Sequence, residues 1–278
     1  VMAALAERLG HGPTERLLIV NCDDLGVSAA ANRAIHRAMT VGIATGATLM
    51  VPCPAAREAA TMCRGLAIGV HLTLTSEYPT RRWRGLTAGA SLHDAAGFLH
   101  ATARAALERV SATEARAECR AQIEASLAWG VDVTHLDAHM DVMQARADLF
   151  EVYLDLAEEF RLPVRMFPPA MAATYGFPAR ERAAARLIPS PDHLLYPWPR
   201  PAAEVLIEAL PALAPGVTEI FAHPVEDGAE LRAYDPWAPD LRAADARGMC
   251  DPALPATLDA QGVHRIDFRA LRALMRAG

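Results

Sequence analysis

Lysine is absent from this 278-residue chain, so all 27 basic residues are arginine. Without lysine the protein can form neither a Schiff base with a carbonyl substrate nor the lysine–phosphate contact of a P-loop. Runs of positive charge are also missing, and 33 acidic residues bring the formal net charge to −6. Nucleic acids and anionic lipid surfaces attract clustered positive charge, so we expect neither as the main partner.

Cysteine pairs and long apolar segments are lacking as well. The five cysteines include no C-x-x-C pair, which excludes zinc-finger and thioredoxin patterns and is typical of thiols in a reducing compartment. The uncharged stretch 39–56 contains threonine, glycine and proline and does not indicate a membrane span. Glu7 and Arg8 interrupt the region where a signal peptide would be apolar. We expect a cytoplasmic protein without a membrane span, and the hydrophobic fraction of 52% is compatible with a homodimer.

Short apolar runs rich in branched residues alternate with helical patterns. The runs predict strands that are buried on both faces of a parallel sheet, at 17–21, 47–51, 67–75, 133–137, 164–167, 219–223 and 264–268. Helices are predicted at 29–40, 55–64, 112–129, 146–160, 202–210 and 255–260, with Ser28 and Ser111 as N-caps of the first and third. This alternation predicts an α/β fold, and about seven strands favour a closed barrel over an open sheet.

The whole chain, 1–278, is interpreted as a single domain with a core at about 17–268. Proline- and glycine-rich stretches at 168–178 and 188–201 predict long loop insertions, because strand-like runs continue on both sides of them. The irregular segment 76–97 is long enough for a functional loop, and a plain surface excursion is an equally good interpretation.

Two adjacent carboxylates end the first predicted strand. Asp23 and Asp24 lie at its carboxyl end, where α/β sheets carry their active sites. Burying two negative charges together is costly unless a cation or a proton compensates them. The alternative is that they cap the following helix, but Gly26 and Ser28 already serve as its turn and its cap.

Histidines appear at two further strand positions. His71 stands in an apolar run, where a lone histidine is more often a core residue than a ligand. His135, Asp137 and His139 follow one another at two-residue spacing, which places them on one face of the fourth strand. With Asp24, His71 and His139 make a His₂-carboxylate set with open positions, typical of metal-dependent hydrolases and of iron oxygenases, and zinc or cobalt suits such ligands.

His223 ends the sixth predicted strand and precedes a proline. The proline restricts the backbone before it, so the ring can face a site at the strand end. A role in proton transfer and a plain surface position are both compatible with this pattern.

Four motifs occur in the order of a known family. The segment 17–26, the sequence Gly69-Val70-His71-Leu72, the segment 134–139 and the pair His223-Pro224 together resemble the YdjC family of carbohydrate deacetylases, also called the ChbG/HpnK family. The resemblance implies a distorted (β/α) barrel that holds one divalent metal ion, magnesium in this family. It also implies removal of the acetyl group from an N-acetylated sugar or oligosaccharide, which releases acetate.

The resemblance also implies roles for individual residues. Asp24, His71 and His139 match the metal ligands, Asp23 matches the general base, and His223 matches a general acid. Arg165 matches a position near the substrate. We add Asp137, Tyr78 and Trp83 as substrate contacts, and we expect Tyr78, Trp83 or Trp198 to provide a flat ring against which a sugar stacks.

The chain departs from the family in a few places. Cys22 and Leu25 replace alanine and phenylalanine around the acidic pair, and Met140 and Asp141 stand where histidines commonly follow the second metal histidine. The changes at Met140 and Asp141 leave open a sugar-binding protein that kept the barrel but lost turnover. The His₂-carboxylate set leaves a second alternative open, a different metal-dependent enzyme such as another hydrolase.

Overall fold

A sheet of seven strands carries the fold in residues 4–277, the part of the chain that the computed structural model describes. The strands are rich in branched apolar residues, and nine of the ten residues of the longest one are buried, as expected for a sheet covered on both faces. Six of the seven predicted runs overlap these strands. They are β1 (Arg16–Leu25), β2 (Gly46–Leu49), β3 (Ile68–Leu72), β4 (Leu136–Ala138), β5 (His193–Leu195), β6 (Gly216–Ala222) and β7 (Val263–Arg265).

The long strand β1 organises the sheet, whose order is β4-β3-β2-β1-β6-β5. One edge of β1 pairs with β6 from Arg16 to Cys22. The other edge pairs first with β7 and then, from Asn21 to Leu25, with β2. All of these pairs are parallel. The sheet curls into a half-barrel flanked by helices, which confirms the predicted distorted α/β barrel.

Helices connect the strands, and all six predicted helices are confirmed to within two residues at each end. Ser28 and Ser111 cap two of them, accepting hydrogen bonds from the backbone N–H groups of Ala31 and Glu114 at 3.0 and 3.2 Å. Within residues 4–277 no helix is long and apolar enough to cross a bilayer. The helices are α1 (Leu5–Arg8), α2 (Ala29–Thr40), α3 (Ala56–Met62), α4 (Ala103–Arg109), α5 (Ala112–Ala128), α6 (Ala147–Phe160), α7 (Pro169–Thr174), α8 (Ala179–Ala185), α9 (Ala202–Ala209), α10 (Ala229–Tyr234), α11 (Pro239–Gly248), α12 (Leu254–Ala260) and α13 (Phe268–Ala277).

The fifth strand is the one prediction of a strand that is wrong. Segment 164–167 makes a single parallel bridge, between Val164 and Leu136, instead of a ladder. Prolines flank this segment on both sides and limit its pairing, because proline offers no backbone donor. The actual β5 lies inside 188–201, which was predicted to be a loop, and it pairs with β6 over three residues. Three residues between prolines are too few to show a strand periodicity in the sequence.

Candidate metal centre and active site

The carboxyl ends of four strands meet at one cavity of about 500 Å³. Asp23 and Asp24 reach it from β1, His71 from β3, His139 from the end of β4 and His223 from the end of β6. Parallel strands bring their carboxyl ends to the same edge of a sheet, so residues far apart in the chain become neighbours here.

A break in β1 lets both acidic residues face this cavity. Asp24 has a φ of 64°, in the left-handed region, and the pairing of β1 with β2 shifts register between Cys22 and Leu25. A regular strand would point Asp23 and Asp24 to opposite faces. The left-handed conformation costs about 1–2 kcal/mol for a residue with a Cβ atom, and it turns the second carboxylate toward the cavity.

Three side chains surround one point in the cavity. Oδ1 of Asp24 lies 3.4 Å from Nε2 of His71 and 3.2 Å from Nδ1 of His139. Within the described chain, this buried oxygen has no hydrogen-bond partner. Ligand atoms held about 2.1 Å from one ion lie about 3.0–3.4 Å from one another. The spacing and the mixed nitrogen and oxygen donors therefore fit a single divalent ion.

Carboxylates hold both imidazoles from behind. Nδ1 of His71 lies 2.6 Å from Oδ1 of Asp137, and Nε2 of His139 lies 3.1 Å from Oε2 of Glu77. A carboxylate keeps a proton on the nitrogen that it contacts, so the opposite nitrogen is the one that would give up its proton to a metal ion beside Asp24. Burial lowers the pKa of His139, but Glu77 and Asp24 outweigh it and raise this pKa to about 9.

Arg242 of α11 holds the other oxygen of Asp24. Its guanidinium donates to Oδ2 of Asp24 at 2.7 Å, to Asp235 at 2.7 Å and to the Tyr78 hydroxyl at 2.6 Å. Burial raises the pKa of Asp24, but the positive charge of Arg242 outweighs burial and holds this pKa well below its ordinary value. Asp24 is thus ionised, with one oxygen fixed and the other free for an ion.

Asp23 is bound differently, through both oxygens. Arg165 donates to Oδ2 at 2.6 Å and to Oδ1 at 2.8 Å, and Asn21 donates to Oδ1 at 2.9 Å. Arg165 also donates to Glu219 at 2.8 Å. Burial raises the pKa of Asp23, but Arg165 outweighs it and lowers this pKa to about 2. The carboxylate is therefore ionised and fixed in orientation at neutral pH.

His223 lies in the cavity wall among aromatic rings. Its ring packs edge-on against Trp198 and Phe221, at centroid distances of 5.3 and 5.5 Å. Its backbone N–H donates to Asp245 at 2.8 Å. Burial lowers the pKa of His223 to about 4, so the ring is neutral at pH 7.

Three predicted placements need correction. Asp137 is fully buried beneath His71, whose ring it contacts, and it does not line the described cavity, so it is not placed to touch a substrate there. Trp83 is also buried, because its loop folds back on the core and its indole N–H donates to a backbone carbonyl at 2.7 Å. His135 stacks on Phe268 at a ring-centroid distance of 3.7 Å and does not line the described cavity.

Other aromatic residues do line the cavity. Tyr78 is one of them, but its side chain is 1% exposed and packs against Tyr234 and Trp237. Trp198 and Trp237 line the cavity with 38% and 61% of their surfaces exposed. Trp237 lies after α10, where the sequence shows no periodic signal for a binding ring.

The segment that departs from the family pattern also reaches the cavity. Met140 and Asp141 have φ values of 49° and 59°, two successive left-handed residues with side chains. Asp141 lines the cavity and accepts a hydrogen bond from the Tyr196 hydroxyl at 2.8 Å. Burial raises the pKa of Asp141 to about 6, although the Tyr196 bond opposes this.

Fold and site together define an α/β protein whose buried Asp-His-His cluster can hold one divalent ion. A family model described as YdjC-like protein matches residues 17–260. The chain belongs to the YdjC family.

Relatives and a solved structure agree with this assignment. A carbohydrate deacetylase of Thermus thermophilus is 36% identical over 96% of this chain and 98% of its own length. A carbohydrate deacetylase of Geobacillus stearothermophilus is 29% identical over 91% of this chain and 97% of its own length. A chitooligosaccharide deacetylase of Citrobacter koseri is 36% identical over 46% of this chain and 50% of its own length. The crystal structure of a candidate cellobiose-phosphate cleavage protein from Enterococcus faecalis superposes with a TM-score of 0.82 and 25% identity, covering 93% of this chain and 99% of that one.

Proposed function

We propose that the protein is a metal-dependent carbohydrate deacetylase that hydrolyses the acetamide of an N-acetylated sugar or oligosaccharide. The observation that carries the metal dependence is the unpartnered Oδ1 of Asp24 between His71 and His139. The carbohydrate deacetylases among its relatives support the reaction. The products are acetate and a free amino sugar.

Asp24, His71 and His139 would hold the ion. A divalent ion in this position supplies Lewis acidity, which lowers the pKa of water and polarises a carbonyl oxygen. Magnesium follows from the family, and the nitrogen-rich ligand set also suits zinc or cobalt.

Asp23 acts as the general base and accepts a proton from the attacking water. Arg165 keeps this carboxylate ionised and fixes its orientation, so an acceptor is ready at neutral pH. The new C–O bond forms as the water oxygen adds to the acetamide carbon. No residue of the chain needs to form a covalent bond to the acetyl group.

His223 delivers a proton to the leaving nitrogen as the C–N bond breaks. Its ring is neutral in the free enzyme, so it must take up a proton during the reaction. A free amine has a higher pKa than this ring, so the proton passes on to the leaving nitrogen.

Acetate release tests the reaction and the metal together. The chelator-treated protein should release no acetate from N-acetylglucosamine or its oligomers, and one equivalent of magnesium, zinc or cobalt should restore release. Sugar binding without acetate release under every metal would instead support a sugar-binding protein that has lost turnover. Acetate release that survives complete metal removal would contradict the metal dependence.

The net charge of −6, without runs of positive charge, still leads us to expect no nucleic-acid partner. A cytoplasmic location and a homodimer stay predictions.

A further inference from the structure

We propose that the cavity selects uncharged acetamido sugars and discriminates against sugars that carry a phosphate or a carboxylate, with Asp141 as the specificity-determining residue. This inference rests on the proposed deacetylase function and concerns the part of the substrate away from the acetamide. It depends on two independent observations: Asp141 lines the cavity, and the arginine side chains of the cavity are already paired with carboxylates.

Asp141 presents a free oxygen to the cavity. Tyr196 binds its Oδ2, and among residues 4–277 no side chain or backbone group donates to Oδ1. The two left-handed residues Met140 and Asp141 turn this carboxylate inward. An ionised carboxylate only accepts hydrogen bonds, so its natural partners are donors such as sugar hydroxyls.

Aromatic rings lie on the same side of the cavity. Tyr196 packs edge-on against Phe221 at 5.0 Å, and Trp198 packs edge-on against His223 at 5.3 Å. Exposed ring faces next to a hydrogen-bond acceptor form an amphipathic surface. A sugar ring has the same character, with apolar C–H groups on its faces and hydroxyls at its edge. Asp141 is thus placed to bind hydroxyls of a ring that stacks on this wall.

The cationic side chains of the cavity are already paired. Arg165 binds Asp23, Asp137 and Glu219, and Arg242 binds Asp24 and Asp235. These are the two arginines among the described lining residues, and the chain contains no lysine. A phosphate or carboxylate on the substrate would therefore meet no unpaired side-chain cation there.

Asp141 adds repulsion to this lack of unpaired side-chain cations. Among the described residues it has no salt-bridge partner, whereas Asp235, which also borders the cavity, is paired with Arg242. Like charges brought together in an interface are strongly unfavourable. An anionic substituent would thus be disfavoured near Asp141, whereas a neutral hydroxyl would gain a hydrogen bond.

Paired substrates test this inference. kcat/KM for acetate release is measured with N-acetylglucosamine and with its 6-phosphate, using wild type, Asp141→Asn and, as a control, Asp240→Asn on the exposed surface. Wild type should favour the neutral sugar by about 100-fold or more, the scale of a repulsive contact. Asp141→Asn should reduce this ratio about tenfold or more, and Asp240→Asn should leave it unchanged. A merely structural role would lower both rates together and keep the ratio.

Measurements of metal content and of sugar binding distinguish a failure of this inference from a failure of the proposed function. Both variants are first checked for bound metal and for thermal unfolding, so that a changed ratio reflects the substrate contact. Acetate release with equal rates for both sugars would overturn this inference and leave the proposed function standing. Without acetate release, quenching of tryptophan fluorescence by each sugar still measures the preference, and tighter binding of the neutral sugar would support the inference. Binding of neither sugar would overturn it.

Discussion

Replacing Glu77 tests whether His139 is held as a metal ligand. Both carboxylate oxygens of Glu77 lie within 3.2 Å of Nε2 of His139. In the described part of the chain, Glu77 has no other hydrogen-bond partner, so its substitution disturbs this contact alone. We expect weaker metal binding, because the imidazole loses the carboxylate that fixes the orientation of the ring and holds a proton on Nε2.

The size of the effect follows from what each substitution leaves behind. Loss of a carboxylate behind a ligating histidine typically weakens metal affinity about 10–100-fold, which is about 1.4–2.7 kcal/mol. Glutamine keeps an oxygen that can accept from Nε2, so Glu77→Gln should lie near the tenfold end. Alanine leaves a buried ring N–H without its acceptor, since the His139 side chain is 6% exposed, so Glu77→Ala should lie near the hundredfold end.

Competition against a chromophoric chelator measures the metal Kd of each variant with zinc and with cobalt. Glu15→Gln is a matched control, because Glu15 also contacts a histidine, His11 at 2.6 Å, but on the surface. It should leave the metal Kd unchanged. If both Glu77 variants bind metal within twofold of wild type, Glu77 does not support the ligand and our reasoning about the site is wrong.

Three further predictions concern the acidic pair, a buried carboxyl and a helix cap. Asp23→Asn should keep the metal and lower kcat about 10²–10⁴-fold, whereas Asp24→Asn should lose the metal. If Asp23→Asn is metal-free and Asp24→Asn still holds metal, the two roles are reversed. Burial raises the pKa of Glu219 from 4.5 to about 7. The unfolded chain releases this proton at lower pH than the folded one, so the free energy of unfolding falls as the pH rises from about 4.5 to 7. Urea unfolding at pH 5 and pH 8 should show a smaller fall for Glu219→Gln than for wild type. An equal fall in both proteins would contradict the raised pKa of Glu219. Ser28→Ala should lower the free energy of unfolding by about 1 kcal/mol, and an unchanged urea midpoint would show that the cap does not stabilise α2.

Local patterns in the sequence reveal only part of this site. Asp24, His71 and His139 can be found because each lies in or at the end of a predicted strand, and parallel strands bring their carboxyl ends together. Glu77 and Arg242 cannot be found in this way. Glu77 is 62 residues from His139, and Arg242 is 218 residues from Asp24. Each lies on a loop or a helix whose local pattern is ordinary, so only the packed fold brings them to their partners.

Trp83 shows that a local pattern can also predict a binding residue where the structure has a core residue. An aromatic residue in a long irregular loop is compatible with a binding platform and with a core residue, because both are stabilised by burying the ring. The decisive feature is a contact between its indole and a backbone carbonyl of its own loop. Such a contact depends on how the loop folds back, which alternation and spacing do not encode.

The hydrogen bonds around Asp23 and Asp24, more than their residue type, distinguish the proposed base from the proposed metal ligand. Each carboxylate has its own arginine, and each arginine comes from a different part of the chain. Arg165 binds both oxygens of Asp23, whereas Arg242 binds one oxygen of Asp24 and leaves the other unpartnered beside two imidazoles. Two buried negative charges in adjacent positions would repel each other strongly if only one cation were present. Two guanidiniums stabilise both as anions, and the left-handed turn at Asp24 directs the free oxygen to the histidines. The same acidic pair can therefore supply a metal ligand and a proton acceptor within one cavity.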